Sequence, residues 1–215
     1  MIRILLVDDH TVFRQALAFL LQREPDITVV GQAGSLAEAL PLLTELDLAL
    51  VDLRLPDGDG VELIRALRVR HPRASALALT GVEDRFEHAR AVEAGAVGVL
   101  HKGSPIEKIV PALRRAAAGE YVLPPREVLE LIRLAGERRN ADREALQMLA
   151  RLTPREREVL EALASGLSDR EISTRLSISS ETVRTHMVNI LAKLGVESRL
   201  AALVFAVRLG AVRIA

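Results

Sequence analysis

Cysteine and tryptophan are absent from the 215-residue chain, and tyrosine occurs once. Without cysteine there is neither a disulfide framework nor a thiolate metal site. No apolar run approaches the roughly 18 residues that a membrane-spanning helix needs. Met1 leads straight into a strand-like run rather than a signal peptide. These absences point to a cytoplasmic protein with no membrane partner. A net charge is lacking too, since 29 basic side chains balance 29 acidic ones. The balance is uneven along the chain: residues 1–150 carry three more acidic than basic side chains, and residues 151–215 three more basic than acidic. A mildly basic tail permits nucleic-acid binding without requiring it. Lysine is scarce, at positions 102, 108 and 193 only. There is no internal repeat or low-complexity tract, and the length allows one large or two small domains.

What is present begins with alternation. Five strand-like runs, Ile2–Val7, Ile27–Ala33, Leu48–Val51, Ser75–Leu79 and Val97–His101, are separated by helical patterns over Thr11–Arg23, Ser35–Thr44, Gly60–Arg70, Asp84–Ala94 and Pro105–Ala118. Leu48–Val51 has no polar alternation, so both of its faces are expected to be buried, as in a parallel sheet. Ser35-Leu-Ala-Glu38 reads as a capping box, and Gly95, Gly119 and Pro72 as helix stops. Five strand–helix pairs predict a doubly wound α/β domain over residues 1–120. Residues 121–149 read as a linker with one or two helices, either a dimer contact or a solvated spacer. From Leu152 the pattern is helical and densely capped. Thr153-Pro-Arg-Glu156 and Ser168-Asp-Arg-Glu171 are capping boxes, Ser179 can cap a third helix, and a fourth runs from about Ser198 to Leu209. A tight turn at Ser177-Ile178 joins the second and third, so residues 150–215 describe a helix-turn-helix module.

Polar residues stand where four apolar strands run out: Asp8-Asp9, Asp52, Thr80 and Lys102. In an open parallel sheet, ligands sit outside the carboxyl ends of the strands. One acidic residue would complement the helix starting at Thr11. The pair, together with Asp52, favours a cation site. Mg²⁺ takes an oxygen shell and one or two carboxylates. Asp9 and Asp52 are candidates for direct ligands, Asp8 for one acting through water, and the backbone carbonyl of Arg54 for another. With the cation bound, Asp52 can act as an ionised nucleophile toward a phosphoryl group. Lys102 and the Thr80 hydroxyl would neutralise and sense the phosphate, and Gly81 leaves it room.

The elements Val-Asp8-Asp9-His, Val-Asp52-Leu-Arg-Leu-Pro56, Leu-Thr80-Gly and Leu-His-Lys102 resemble the receiver domain of bacterial response regulators over about residues 1–118. The resemblance implies a flavodoxin-like sheet of order 2-1-3-4-5. It also implies Asp52 as phosphoacceptor, a sensor histidine kinase as donor, and a Thr80 that reorients toward the phosphate. One position departs: members usually carry Tyr or Phe three residues before the lysine, and here that residue is Val99. An aromatic rotation coupled to Thr80 is therefore not available.

The segments Leu-Thr153-Pro-Arg-Glu156-Arg-Glu-Val-Leu160, Gly-Leu-Ser168-Asp-Arg-Glu171-Ile and Glu-Thr182-Val-Arg184-Thr-His186 through Lys193-Leu-Gly195-Val resemble a LuxR-type helix-turn-helix. Together with the receiver they resemble a NarL/FixJ-class response regulator. Asp169-Arg170 stands where Asn-Lys is commoner. On the third helix, Val183, Met187, Ile190, Leu191 and Leu194 form an apolar stripe. Arg184, Thr185, Val188 and Asn189 lie on another face, where Arg can read guanine, Asn adenine, and Thr or Val a thymine methyl. Ser179, Thr182, Lys193 and Arg199 are placed as DNA phosphate contacts. His186 fits a packing or phosphate role better than base reading. Leu200, Leu203, Val204 and Val207 on the last helix offer a face either for dimerisation or for the core. The implied protein is a homodimer when active and engages the transcription machinery. Two rivals are weaker, an enzyme on the doubly wound fold and a DNA-binding protein that works without phosphorylation. A dinucleotide enzyme wants a glycine-rich turn where Asp8-Asp9 stands, and a haloacid-dehalogenase-like phosphatase wants an acid at position 54, which is Arg. A DNA-binding protein that ignores phosphorylation draws its support from Val99.

Overall fold

The computed structural model describes residues 1–212. Within them, β1 (Ile2–Val7), β2 (Ile27–Ala33), β3 (Leu48–Asp52), β4 (Ser75–Thr80) and β5 (Gly98–His101) form one parallel sheet. Their order is β2-β1-β3-β4-β5. Every residue of β3 and β4 is buried, which is why those runs lack polar alternation. The strand order reverses at β1 and β3, so the segments leaving those two strands open on a common crevice.

Helices α1 (Thr11–Leu21) and α5 (Ile106–Ala117) cover one face, placing Leu17, Leu21, Ile109 and Leu113 with Ile4, Leu6, Leu50 and Leu77. Helices α2 (Leu36–Ala39), α3 (Gly60–Arg70) and α4 (Arg85–Ala94) cover the other. There Leu36, Leu63, Ile64 and Leu67 meet Leu5, Val7, Ala49 and Val51. The doubly wound architecture anticipated from the alternation is therefore present. Two local expectations are corrected. The helix expected over Ser35–Thr44 stops at Ala39 and continues as a 3₁₀ turn over Leu40–Leu42, because Pro41 has no N–H to donate. At its start Ser35 accepts from the Glu38 N–H, but the Glu38 carboxylate reaches the Gly34 N–H instead of closing a capping box. Gly60 meets a strict steric demand, since a Cβ there would lie 1.9 Å from the Asp52 carbonyl oxygen. The first turn of α3 can rest on the end of β3 only without a side chain.

Past α5, the Val122 N–H donates to the Val97 carbonyl at 2.8 Å and returns the chain to the sheet edge. Helix α6 then runs unbroken over Pro125–Ala150, a single helix where the sequence suggested one or two. The chain divides into compact units of residues 1–136 and 137–215, so the boundary falls inside α6. In the first unit, Val128, Leu131 and Ala135 pack with Ala89 and Val92 of α4.

The second unit holds α7 (Pro154–Ala164), α8 (Asp169–Arg175), α9 (Ser180–Leu194) and α10 (Arg199–Arg208). Both expected capping boxes form, Thr153 with Glu156 and Ser168 with Glu171. Ser177, at φ 53°, makes the tight turn between α8 and α9. Leu149, Val159, Leu160, Ile172, Val183 and Ile190 lie in the core. On α10, Ala202 and Ala206 are buried and Leu203 and Val207 pack against that core, while Leu200 and Val204 are exposed.

Candidate functional site

Three strand ends converge on one ammonium. Lys102 follows β5, and its N–H donates to the Thr80 carbonyl at 2.8 Å, tying β5 to the end of β4. Its Nζ donates to Asp52 Oδ2 at 2.7 Å and lies 2.8 Å from Asp8 Oδ2. The ring of Phe13 on α1 lies under it, 5.6 Å away. Both carboxylates are buried, and Asp52 Oδ1 accepts from the Arg54 N–H at 3.1 Å. Burial pushes the Asp52 carboxyl above its ordinary value, outweighing the bonds from Lys102 and Arg54, and the charge on Asp8 adds to the rise. Burial also opposes the charge on Lys102, but its bonds to Asp52 and Asp8 outweigh that and hold its pKa above the ordinary lysine value. Two sequestered carboxylates thus share one cation.

A second cation has a place here. Ligand atoms of Asp8, Asp9, His10 and Asp52 lie within 4.8 Å of one another. Asp8 Oδ2 is buried and meets the Lys102 ammonium at 2.8 Å, and as a carboxylate oxygen it keeps a further lone pair. Three carboxylates with a spare lone pair fit a hard, oxygen-seeking divalent ion. Asp9 is exposed, with Oδ1 2.6 Å from His10 Nδ1. His10 escaped the sequence argument, although its position directly after the acidic pair was a signal. So did Arg14, whose guanidinium holds the Asp8 carbonyl. The Arg54 side chain turns away to Glu87, at 2.7 Å.

Thr80 is buried, and its hydroxyl is engaged by its own loop. It donates to the Val82 carbonyl and accepts from the Val82 N–H, both at 3.1 Å. Apart from Gly81 itself and its chain neighbours, nothing lies within 4 Å of where a Cβ on Gly81 would stand, so the crevice is open there. Val99 is half-buried and packs against two clusters, one beneath α3 and one shared by α4 and α6.

In the second unit, α9 separates its faces as its spacing suggested. Val183, Met187, Ile190 and Leu194 are buried, Leu191 is half-buried, and Arg184, Thr185, Val188 and Asn189 are all exposed. His186 is half-buried. Ser179 caps α9 by accepting from the Thr182 N–H at 3.0 Å, and the two hydroxyls lie 2.8 Å apart. The other two residues assigned to phosphate have carboxylate partners. Lys193 donates to Glu156 at 2.6 and 2.8 Å, and Arg199 lies 2.6 Å from Asp169. Glu156 is 3% exposed. Burial would raise its carboxyl, but Lys193 and Thr153 outweigh it and hold the pKa below the ordinary 4.5. Asp169 also faces Arg184, at 3.9 Å. Among the described residues no helix is long and apolar enough to cross a membrane.

Comparison with known proteins agrees with this division. Residues 4–114 match the response regulator receiver domain family, and residues 150–206 match the luxR family of bacterial regulatory proteins. The chain is 37% identical over 212 residues to the DNA-binding transcriptional activator DevR/DosR of Mycobacterium tuberculosis, covering 97% of this chain and 95% of that protein. It is 35% identical over 207 residues to the response regulator protein VraR of Staphylococcus aureus, covering 95% and 96%. Among solved structures, it resembles the response regulator ChrA of a heme-sensing two-component system, with a TM-score of 0.50 and 33% identity over 96% of both chains.

Proposed function

The chain belongs to the response regulators that join a receiver domain to a LuxR-type helix-turn-helix, and from that premise we propose that Mg²⁺-dependent phosphorylation of Asp52 controls its binding to specific DNA sites. The donor is a sensor histidine kinase. Residues 1–120 form the phosphoacceptor domain, 121–149 the helical linker and 150–215 the DNA-binding domain, and the protein acts in the cytoplasm. The observation that carries this reading is the buried Asp52 carboxylate, 2.7 Å from Lys102 and beside two further aspartates, at the reversal point of the sheet.

In this reading an Asp52 oxygen attacks phosphorus as the bond to the donor's imidazole nitrogen breaks. Asp8, Asp9, Asp52 and the Arg54 carbonyl would hold Mg²⁺, which when bound would supply charge neutralisation for the transferring oxygens. The Lys102 ammonium gives up its carboxylate partner and follows the new phosphoryl oxygens. The Thr80 hydroxyl leaves Val82 and donates to the same group. Arg184, Thr185, Val188 and Asn189 then meet base edges, while Ser179 and Thr182, with Arg199 and Lys193 once released from their carboxylates, meet backbone phosphates. Active dimers place two α9 helices in successive major grooves and engage the transcription machinery. The test is labelling with a phosphodonor and Mg²⁺, followed by footprinting on genomic DNA. An Asp52→Ala protein labelled as well as the parent, or a footprint indifferent to the phosphodonor, refutes the reading.

A further inference from the structure

A magnesium ion takes oxygen ligands, yet the acidic cluster also offers a nitrogen. We propose that His10 is a metal ligand, and that through it the site prefers a divalent d-block ion such as Zn²⁺ or Co²⁺ to Mg²⁺. The inference rests on the cation site of the reading above and names a second occupant for it. His10 stands at the N-cap of α1, where a side chain commonly turns back to accept from a helix N–H. Its ring makes no such bond. It turns to the carboxylates, so that Nδ1 lies 2.6 Å from Asp9 Oδ1 and 3.3 Å from Asp8 Oδ1. The His10 backbone N–H donates to the same Asp8 oxygen at 2.8 Å and holds it in place.

The spacing is that of ligands around one ion. In an octahedral shell with bonds of about 2.1 Å, adjacent ligand atoms stand about 3.0 Å apart. The two distances from Nδ1 bracket that value. Without an ion, Nδ1 has conflicting neighbours, because the Lys102 ammonium also lies 3.3 Å from it. A protonated Nδ1 suits Asp9 and is opposed by Lys102. A bare Nδ1 accepts from Lys102 and sets its lone pair against a carboxylate oxygen. A divalent ion shared by Nδ1 and the carboxylates removes the conflict. Ligand chemistry then decides which ion gains. Mg²⁺ is hard and keeps several waters, so exchanging one of them for imidazole brings it little. Imidazole suits the later d-block ions, whose affinities for nitrogen sites rise along the Irving–Williams order. Carboxylates bind either kind of ion, and the nitrogen is the ligand that discriminates. Most of the His10 side chain is exposed, so an ion reaches the ring from solvent. The same three carboxylates serve both ions, so occupancy by one excludes the other, and the receiver responds to the supply of the d-block ion as well as to its phosphodonor.

The experiment titrates the full chain with Zn²⁺ and Mg²⁺, alone and in competition, and uses Co²⁺ as the spectroscopic probe. Zn²⁺ should displace Mg²⁺ from the parent. His10→Ala, at an exposed position that does not endanger folding, should lower Zn²⁺ affinity at least about tenfold, the loss that even an outer partner of a metal ligand brings, and Mg²⁺ affinity less than about twofold. The Co²⁺ complex of the parent should show the hyperfine-shifted N–H proton of a bound imidazole in its NMR spectrum, and that of His10→Ala should lack it. Unchanged Zn²⁺ affinity in the variant, a Mg²⁺ loss as large as the Zn²⁺ loss, or a shifted proton that survives the substitution overturns the inference and leaves the Mg²⁺ site standing. Mg²⁺ binding that Asp9→Asn leaves unchanged overturns the underlying cation site, and the inference with it.

Discussion

Replacing Lys102 with Met tests the electrostatics of the site directly. The ammonium is the cation that two buried carboxylates share, at 2.7 Å from Asp52 and 2.8 Å from Asp8. Methionine keeps most of the volume and leaves both acids uncompensated. Removing one partner of a buried ion pair costs about 3–5 kcal/mol. Lys102 retains some contact with solvent, and one carboxyl can take up a proton, so the lower figure of about 3 kcal/mol applies. The vacated charge is then available to a divalent cation. At a Mg²⁺ concentration about 100 times the dissociation constant, binding to the folded state returns about 2.7 kcal/mol. The variant should therefore be strongly destabilised without Mg²⁺ and nearly restored with it, while the parent responds much less. Urea unfolding followed by tyrosine fluorescence suits the assay, because the single tyrosine, Tyr121, lies in the first unit. A loss below about 1 kcal/mol, with equal Mg²⁺ stabilisation of parent and variant, refutes the shared-cation account.

Four further substitutions test the second unit. Glu156→Gln removes the carboxylate that holds Lys193 and closes a capping box, and should cost about 2–4 kcal/mol. Because the folded pKa of Glu156 is lowered, its stabilisation is full above the ordinary value of 4.5 and fades as pH falls through the lower folded value. Thermal unfolding from about pH 6 down to pH 3 should fall less steeply in the variant, and parallel acid limbs would count against this role. Arg184→Ala and Asn189→Ala, both at exposed positions, should each lose about 1–3 kcal/mol of discrimination between DNA sites, with stability changed by no more than about 0.5 kcal/mol. Competition binding with single-base variants measures it, and undiminished discrimination removes α9 as the reading helix. Asp169→Asn removes the carboxylate beside Arg199 and Arg184, and should steepen the logarithmic salt dependence of DNA affinity by about one unit. An unchanged slope means that Arg199 already reaches phosphate.

The sheet and the acidic cluster were legible because period and position carry them. Apolar runs without alternation mark strands buried on both faces, and polar residues at the ends of such runs stand at the sheet's ligand-binding edge. The face of α9 was legible for the same reason, through 3.6-residue spacing. Contacts between elements distant in sequence were not. Nothing in the run around Glu156 indicates that Lys193 will find it 37 residues on, or that Asp169 will hold Arg199. A free cation on a helix surface reads as a phosphate contact until the neighbouring helix supplies its carboxylate. Helix α6 was obscured by composition. Gly136 and the charged run to Asn140 interrupt its periodicity, and the helix passes through them because each half has an apolar core to join. Pro41 is the local signal that ends α2 early, through its missing N–H.

The α4–α6 contact is strong enough to hold the start of α6 and weak enough to open locally. Fully burying a valine or leucine contributes about 1.5–3 kcal/mol, so Val128 and Leu131 together supply about 3–6 kcal/mol at most. The exposed Arg85–Glu130 pair adds little. Ordering the start of α6 subtracts from this, leaving a net contact of a few kcal/mol. Leu131→Ala removes the larger share of that contact, so residues 126–135 should lose most of their protection from amide hydrogen exchange while β1, β3 and β4 keep theirs. If the strands lose protection to the same extent, the contact belongs to the cooperative core and does not open by itself.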